Sequence, residues 1–417
     1  MSICFLGADR KTKYRCTYEL NDGITVSVEY DVSDEVESVN GMKVWSTSTK
    51  FPPRDIVVAD PDTKTYILVK NAYYNGNSAR YGSIDDKTIS KFSSDSFFKC
   101  NSLETILSIS ELTSFSKLKV FSKEVNRQIG SPSLSYTRTE AVTQIELKNE
   151  SQKECVLINN NNINNISIGD YWICHRDSRE QIDVCISGYI ELDLEKPVAF
   201  EECYQYLKEL AIYLQLFKPG AFEFERIQML VGTEYVEYCV LFDEINLKRR
   251  SVQNSVDGKL IEFLEVCYKN IPYRDGQEET RNIPYIINRR YRSLEDNFLT
   301  CFRFIECYYK RTTNLTRNSD VLTQALIDHP QKISNFQTLG ADYKDEIIAL
   351  RNQYVHTGFY LKNNTLERKN RHGQVIAAYP NITAEWIYER TKLLYQIVVD
   401  IIFKIMLGYD KYSYDYR

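Results

Sequence analysis

Near Asn246-Leu-Lys-Arg-Arg-Ser251 the spacing of apolar residues changes from a period of two to a period of about 3.6, and this constrains the fold more than any other feature. Strand alternation and a helical stripe cannot share one pattern, so two structural regimes follow one another, with the boundary expected at residue 248. Upstream, the runs Tyr14–Leu20, Ile24–Tyr30, Thr65–Lys70, Lys117–Ser122, Thr143–Leu147, Glu154–Ile158, Ile166–Cys174 and Ile182–Leu194 are rich in Val, Ile, Tyr, Phe and Thr. Alternation as in Thr25-Val-Ser-Val-Glu-Tyr30 buries one face and wets the other, which points to antiparallel sheet. The Asn-rich piece 159–165 reads as a turn between two strands, and His175 as an ordinary strand residue. After Lys196-Pro197, Tyr204, Leu207, Leu210, Ala211 and Leu214 recur at helical spacing up to Pro219-Gly220. Two more strand-like runs follow, so this helix is expected to pack on a sheet face.

Downstream, helices are expected over Asp257–Lys269, Ser293–Lys310, Ser319–His329, Asp342–His356 and Thr383–Leu407. Ser293 and Thr383 read as N-caps, and Ile382 with Ile387 as a hydrophobic staple. His329, before Pro330, reads as a chain-end residue, and the polar, basic stretch Tyr360–Pro380 as a loop, either functional beside the site or simply a solvated surface. The fold class expected is α+β in two domains: residues 1–248, mostly antiparallel β with a packed helix, and residues 249–417, an all-α helical bundle.

Composition excludes several classes. A 43% hydrophobic and 26% charged chain of 417 residues can bury ordinary cores. Its eleven cysteines are odd in number and lack a C-x-x-C pair, which points to reduced thiols in a cytoplasmic protein and away from a disulfide framework or zinc site. The apolar start is too short for a signal peptide, and Ile397–Leu407, broken by Asp400 and Lys404, is too short to span a membrane. No phosphate loop or metal cluster is legible, so neither cofactor nor metal is expected. Residues 249–417 carry 25 Lys+Arg against 20 Asp+Glu, or +5, and the remainder 27 against 37, or -10. An anionic partner such as RNA would be drawn to the C-terminal half.

That half contains Asp342-Tyr-Lys-Asp-Glu-Ile-Ile-Ala-Leu-Arg351-Asn352-Gln-Tyr-Val-His356-Thr-Gly358. Asp342 is placed to cap the helix and Gly358 to stop it. Ile347, Ile348, Leu350, Tyr354 and Val355 make an apolar face with Arg351 in its middle. An unpaired guanidinium there costs several kcal/mol, so it needs a partner or a task. One reading is a buried ion pair, with His356 favoured by the helix dipole. The other is catalytic.

Arg351-Asn352-x-x-x-His356 at the end of a bundle helix resembles the motif of the HEPN ribonucleases. The segments Ser187-Gly-Tyr-Ile-Glu-Leu, Lys196-Pro and Tyr213-Leu-Gln-Leu-Phe resemble the N-terminal domain of ApeA-like HEPN proteins. The resemblance implies a metal-independent endoribonuclease of bacterial anti-phage defence, acting through abortive infection. It implies that His356 moves the proton, Arg351 holds the scissile phosphate and Asn352 orients one of them. Arg351 and His356 lie about 140° apart around an ideal helix. HEPN nucleases bring the two groups together by pairing bundles, so a homodimer or higher homo-oligomer with a composite cleft is implied. RNA, with tRNA among the candidates, is the implied substrate, and a phage-derived trigger acting on residues 1–248 the implied control. The competing expectation is a non-catalytic bundle that serves dimerisation or partner binding, beside a ligand-recognising β domain.

Overall fold

The computed structural model describes residues 2–6, 14–21, 23–31, 37–39, 42–44, 54–79, 87–129, 134–138, 143–147, 154–160, 162–176, 182–240, 255–271, 278–288, 293–334, 342–358, 364–370, 372–410 and 412–414. The chain divides into two compact units, one of residues 1–204 and 223–246, the other of residues 205–222 and 247–417. The boundary expected at residue 248 falls outside the described residues.

The first unit is antiparallel β, as the alternation predicts. Part of its sheet closes into a barrel in the order Thr65–Ala79, Arg54–Asp60, Ser2–Leu6, Tyr14–Asn21, Gly23–Asp31 and Lys87–Ser94, the last pairing back onto the first. The long strand Thr65–Ala79 serves three partners, Arg54–Asp60, Lys87–Ser94 and Ser96–Cys100, and it bends: the register with Lys87–Ser94 shifts between Tyr74 and Gly76, and Gly76 has φ +126 with open space where a Cβ would sit. Cys4, Val26, Val28, Ile56, Val58 and Phe92 fill the barrel core. From Thr65–Ala79 the sheet continues through Ser96–Cys100, Glu234–Val240, Arg226–Val231, Ser114–Ser122, Ile182–Ala199 and Ile163–Arg176 to Glu154–Asn160. Ile166, Ile190, Leu118, Ile227 and Met229 are buried on one face. On the other, Lys119 lies over the rings of Tyr189 and Tyr235 at 4.5 and 4.3 Å and pairs with Glu191 at 3.0 Å.

The Asn-rich turn is tighter than a seven-residue loop. Asn160 pairs with Ile163, and Asn159 and Asn162 adopt positive φ, which Asn tolerates. Pro197 does not end its strand. The Ile182–Ala199 strand bulges between the partners of Phe115 and Lys117, where a missing N–H is harmless, and Asn162 Oδ1 accepts from Lys196 N–H at 3.0 Å. Helices α1 (Leu103–Glu111), capped by Ser102, and α2 (Lys123–Ile129) complete this unit.

The second unit contains most of α3 (Cys203–Phe217), then α4 (Leu260–Asn270), α5 (Glu278–Asn288), α6 (Leu294–Thr312), α7 (Asn318–Asp328), α8 (Pro330–Ser334), α9 (Tyr343–Thr357) and α10 (Ala384–Asp400). Residues 205–222, expected within the first domain, group with the later helices. Tyr213 donates to the Ile271 carbonyl at 2.8 Å and meets Tyr268 edge-on at 4.7 Å, while Phe217 packs 5.5 Å from Phe263. Ser293 and Thr383 cap α6 and α10, accepting from the N–H groups of Asp296 and Trp386 at 3.1 Å each. Ile382 and Ile387 are both buried, as a staple requires. The α10 helix continues as a π-turn, Ile401–Met406.

The all-α expectation is corrected. Ser255–Val256 pairs with Tyr412–Ser413, and Leu366–Lys369 forms a hairpin with Val375–Tyr379 inside the stretch expected to be a loop. Arg368 there pairs with Asp345 of α9. Helix α5 is absent from the helices expected above; it carries Pro284, a residue that disfavours helix interiors, and buries Ile283, Ile286 and Ile287 at helical spacing. Among the described residues no helix is long and apolar enough to cross a membrane.

Candidate active site

Helix α9 is held by its first turn. Asp342 occupies the N-cap position, but its side chain makes no capping bond; only its carbonyl accepts, from Glu346 N–H at 3.0 Å. Asp345 reaches Arg368 instead, and Glu346 accepts from Arg390 Nε of α10 at 3.0 Å. These pairs tie α9 to the hairpin and to α10. At the other end Gly358, with φ +77 and nothing near its missing Cβ, stops the helix just past His356.

Ile347, Ala349, Leu350 and Tyr354 form the buried face of α9. Val355, expected there too, is 51% exposed. The ring of Tyr354 meets Phe298 of α6 edge-on at 5.8 Å, and burial pushes its hydroxyl well above the ordinary tyrosine range.

Arg351 sits beside this contact with its side chain 20% exposed. Its Nη2 lies 3.5 Å from Glu306 Oε2 of α6, its Nη1 donates to Asn352 Oδ1 at 3.3 Å, and its guanidinium carbon is 5.9 Å from the Phe302 ring. Glu306 Oε1 holds Lys310 at 2.6 Å. Arg351, Glu306, Phe302, Leu299, Arg303, Cys307 and Val355 line a pocket of about 400 Å³ between α6 and α9. Asn352 and His356 are exposed, and His356 is absent from that lining. The sequence motif is therefore split within one chain: the cation faces the pocket, and the imidazole stands outside it.

This arrangement has a chemical consequence. A guanidinium whose carboxylate partner lies at 3.5 Å is weakly engaged by it, and its fork can take phosphate oxygens in a bidentate pair, which a lysine could not. Glu306 and Arg303 belong to no motif in the sequence, and Phe302 reads there only as part of the apolar face of its helix with Phe298, Ile305 and Tyr309. The spacing of Glu306 and Lys310 on a predicted helix was visible, but nothing local says that Glu306 faces Arg351.

The remaining histidines differ. His372 is exposed in the hairpin turn, where its N–H donates to Asn370 Oδ1 at 2.9 Å. His329 ends α7, as expected, but it is buried, with Nδ1 2.6 Å from Asp400 Oδ2 at the end of α10. Lys332, Lys404 and Tyr412 also reach Asp400, at 3.5, 3.1 and 2.7 Å. Burial pushes this carboxyl up, but the bonds from His329, Tyr412 and Lys404 and the charge of Lys332 outweigh burial and hold it well below the usual range. His175 lies in the strand Ile163–Arg176, as expected. Among the described residues no three His, Cys, Asp or Glu side chains converge as metal ligands.

Compared with known proteins, the chain matches no family model, no curated protein and no solved structure.

Proposed function

We propose that this protein is a HEPN-type endoribonuclease of an anti-phage, abortive-infection system, related to the ApeA-like proteins. The observation that carries the reading is Arg351: a cation on a pocket wall, loosely held by Glu306 and buttressed by Asn352, on the same helix end as the exposed His356. RNA brings its own nucleophile, the 2'-hydroxyl. The protein then needs a group that moves a proton near neutral pH and a cation for the charge that develops on the phosphate. His356 supplies the first and Arg351 the second. Because the two do not line one pocket in a single chain, the cleft is composite, made by a second copy of the helical unit. The β unit, with its charge deficit, is the regulatory half that responds to a phage component.

The ion pair between Arg351 and Glu306 favours a second reading, in which the pair is structural and the helices only bind a partner. One experiment separates them. Purified full-length protein is incubated with total tRNA in EDTA, and the products are tested for 2',3'-cyclic phosphate and 5'-hydroxyl ends. Such ends, absent with the His356→Ala protein, support the nuclease. Intact RNA with every trigger tried, or cleavage that requires a divalent metal, sinks it.

A further inference from the structure

The pocket beside Arg351 is larger and more apolar than a phosphate clamp needs. A phosphate is bound by a cation and donors at the surface, whereas Leu299, Phe302 and Val355 offer hydrocarbon, and about 400 Å³ is ample for a planar heterocycle. Single-stranded RNA is read by splaying a base out of the stack onto apolar and guanidinium surfaces and hydrogen-bonding its edge. We propose that this pocket, resting on the ribonuclease reading above, receives a nucleobase next to the scissile phosphate, and that Glu306 selects bases bearing an exocyclic amine.

The selection follows from what the carboxylate can accept. Glu306 Oε1 is committed to Lys310 at 2.6 Å, but Oε2 has only the long 3.5 Å contact to Arg351. An ionised carboxylate accepts at about four positions and donates none. Adenine, cytosine and guanine each present an amino group to such an acceptor. Uracil presents one N–H flanked by two carbonyl oxygens, which the negative charge repels. When phosphate draws Arg351 away, Oε2 loses its cation and an amino group replaces it. Binding the phosphate and reading the base are thereby coupled through one carboxylate.

Cys307 lines the same pocket and is half-buried, which provides a readout independent of cleavage. The full-length protein is alkylated with iodoacetamide, and the rate at Cys307 is followed by peptide mass spectrometry in the presence of 5'-AMP, 5'-CMP, 5'-GMP or 5'-UMP. The three amino-bearing nucleotides should protect Cys307 at concentrations about tenfold lower than UMP, the size expected for one base-edge contact. Glu306→Gln should narrow that ratio, since an amide both accepts and donates, whereas a merely structural Glu306 would weaken all four nucleotides equally. Val355→Trp, at an exposed position on the pocket wall, should abolish protection by every nucleotide while leaving thermal melting unchanged. Equal protection by all four nucleotides, or none, overturns the base-reading proposal even if RNA is cut. Protection with the expected ratio but no cleavage keeps the pocket and sinks the nuclease.

Discussion

Asp400 and Arg351 each anchor an ion cluster in the helical unit, but the two clusters are finished differently. Around Asp400, one imidazole, two ammonium groups and a phenol converge on a carboxylate with 9% exposure. Around Arg351, one carboxylate stands at 3.5 Å, the Asn352 side-chain oxygen accepts at 3.3 Å, and the guanidinium lines a pocket. A buried charge that is fully paired fixes geometry, and removing a partner is costly. A charge left half-engaged retains capacity for an incoming ligand. Two histidines on the same set of helices are therefore separated by their surroundings: His329 belongs to the closed cluster, and His356 stands exposed outside the open one, on the helix that carries Arg351.

The comparison can be broken at three points. The largest effect is expected at the open cluster. His356→Ala should lower RNA cleavage by up to about 10⁴-fold, the upper range for a lost proton-transfer group, and Arg351→Ala should do the same with little change in melting. Mixing the two variants should restore part of the activity if the cleft is composite. Normal cleavage by either single variant would remove that residue from the mechanism.

At the closed cluster the effect should fall on stability. Asp400→Asn leaves two lysines facing a neutral amide and should cost about 3 to 5 kcal/mol, read by chemical denaturation. The pH dependence carries a sign. Asp400 is held below its ordinary value, so its contribution is complete above the unfolded carboxylate range and is lost as pH falls through the folded value. The native chain should lose stability below about pH 4, and Asp400→Asn should lose less over the same interval. Identical acid profiles would show that the cluster is not what acid attacks.

The smallest effect calibrates the other two. Thr383→Ala removes the N-cap bond of α10 to Trp386 N–H and touches neither cluster, so it should cost about 1 kcal/mol and leave cleavage unchanged. A larger loss would mean that α10 transmits strain to Asp400 at its far end.

Local chemistry made much of this legible in the sequence. Ser293 and Thr383 cap where their spacing says they should, and the period-two runs became antiparallel strands, because both depend on near neighbours. Long-range pairing was not legible. The strand Ser2–Leu6 is short and one of its two partners, Arg54–Asp60, is remote in sequence, and in the hairpin of Leu366–Lys369 with Val375–Tyr379 the basic run Arg368-Lys-Asn-Arg-His372 masks the apolar strand that follows it. At the site, Arg351, Asn352 and His356 were visible as a motif, but Glu306 lies 45 residues upstream and its meeting with Arg351 is a product of helix packing. Asp342 takes the N-cap position that its spacing predicts but makes no side-chain capping bond: the acids after it go to Arg368 and Arg390, so tertiary pairing holds the first turn.

The assignment of residues 205–222 to the helical unit bears on the order in which the chain can fold during synthesis. All of the β unit's chain has been made once residue 246 is added, while the partners of Tyr213 and Phe217, at 263–271, have yet to appear. Domains generally fold as units while the chain is being made. Here Tyr213 and Phe217 are made well before Phe263, Tyr268 and Ile271, which they meet in the folded unit, while the strands on either side of α3 can already close.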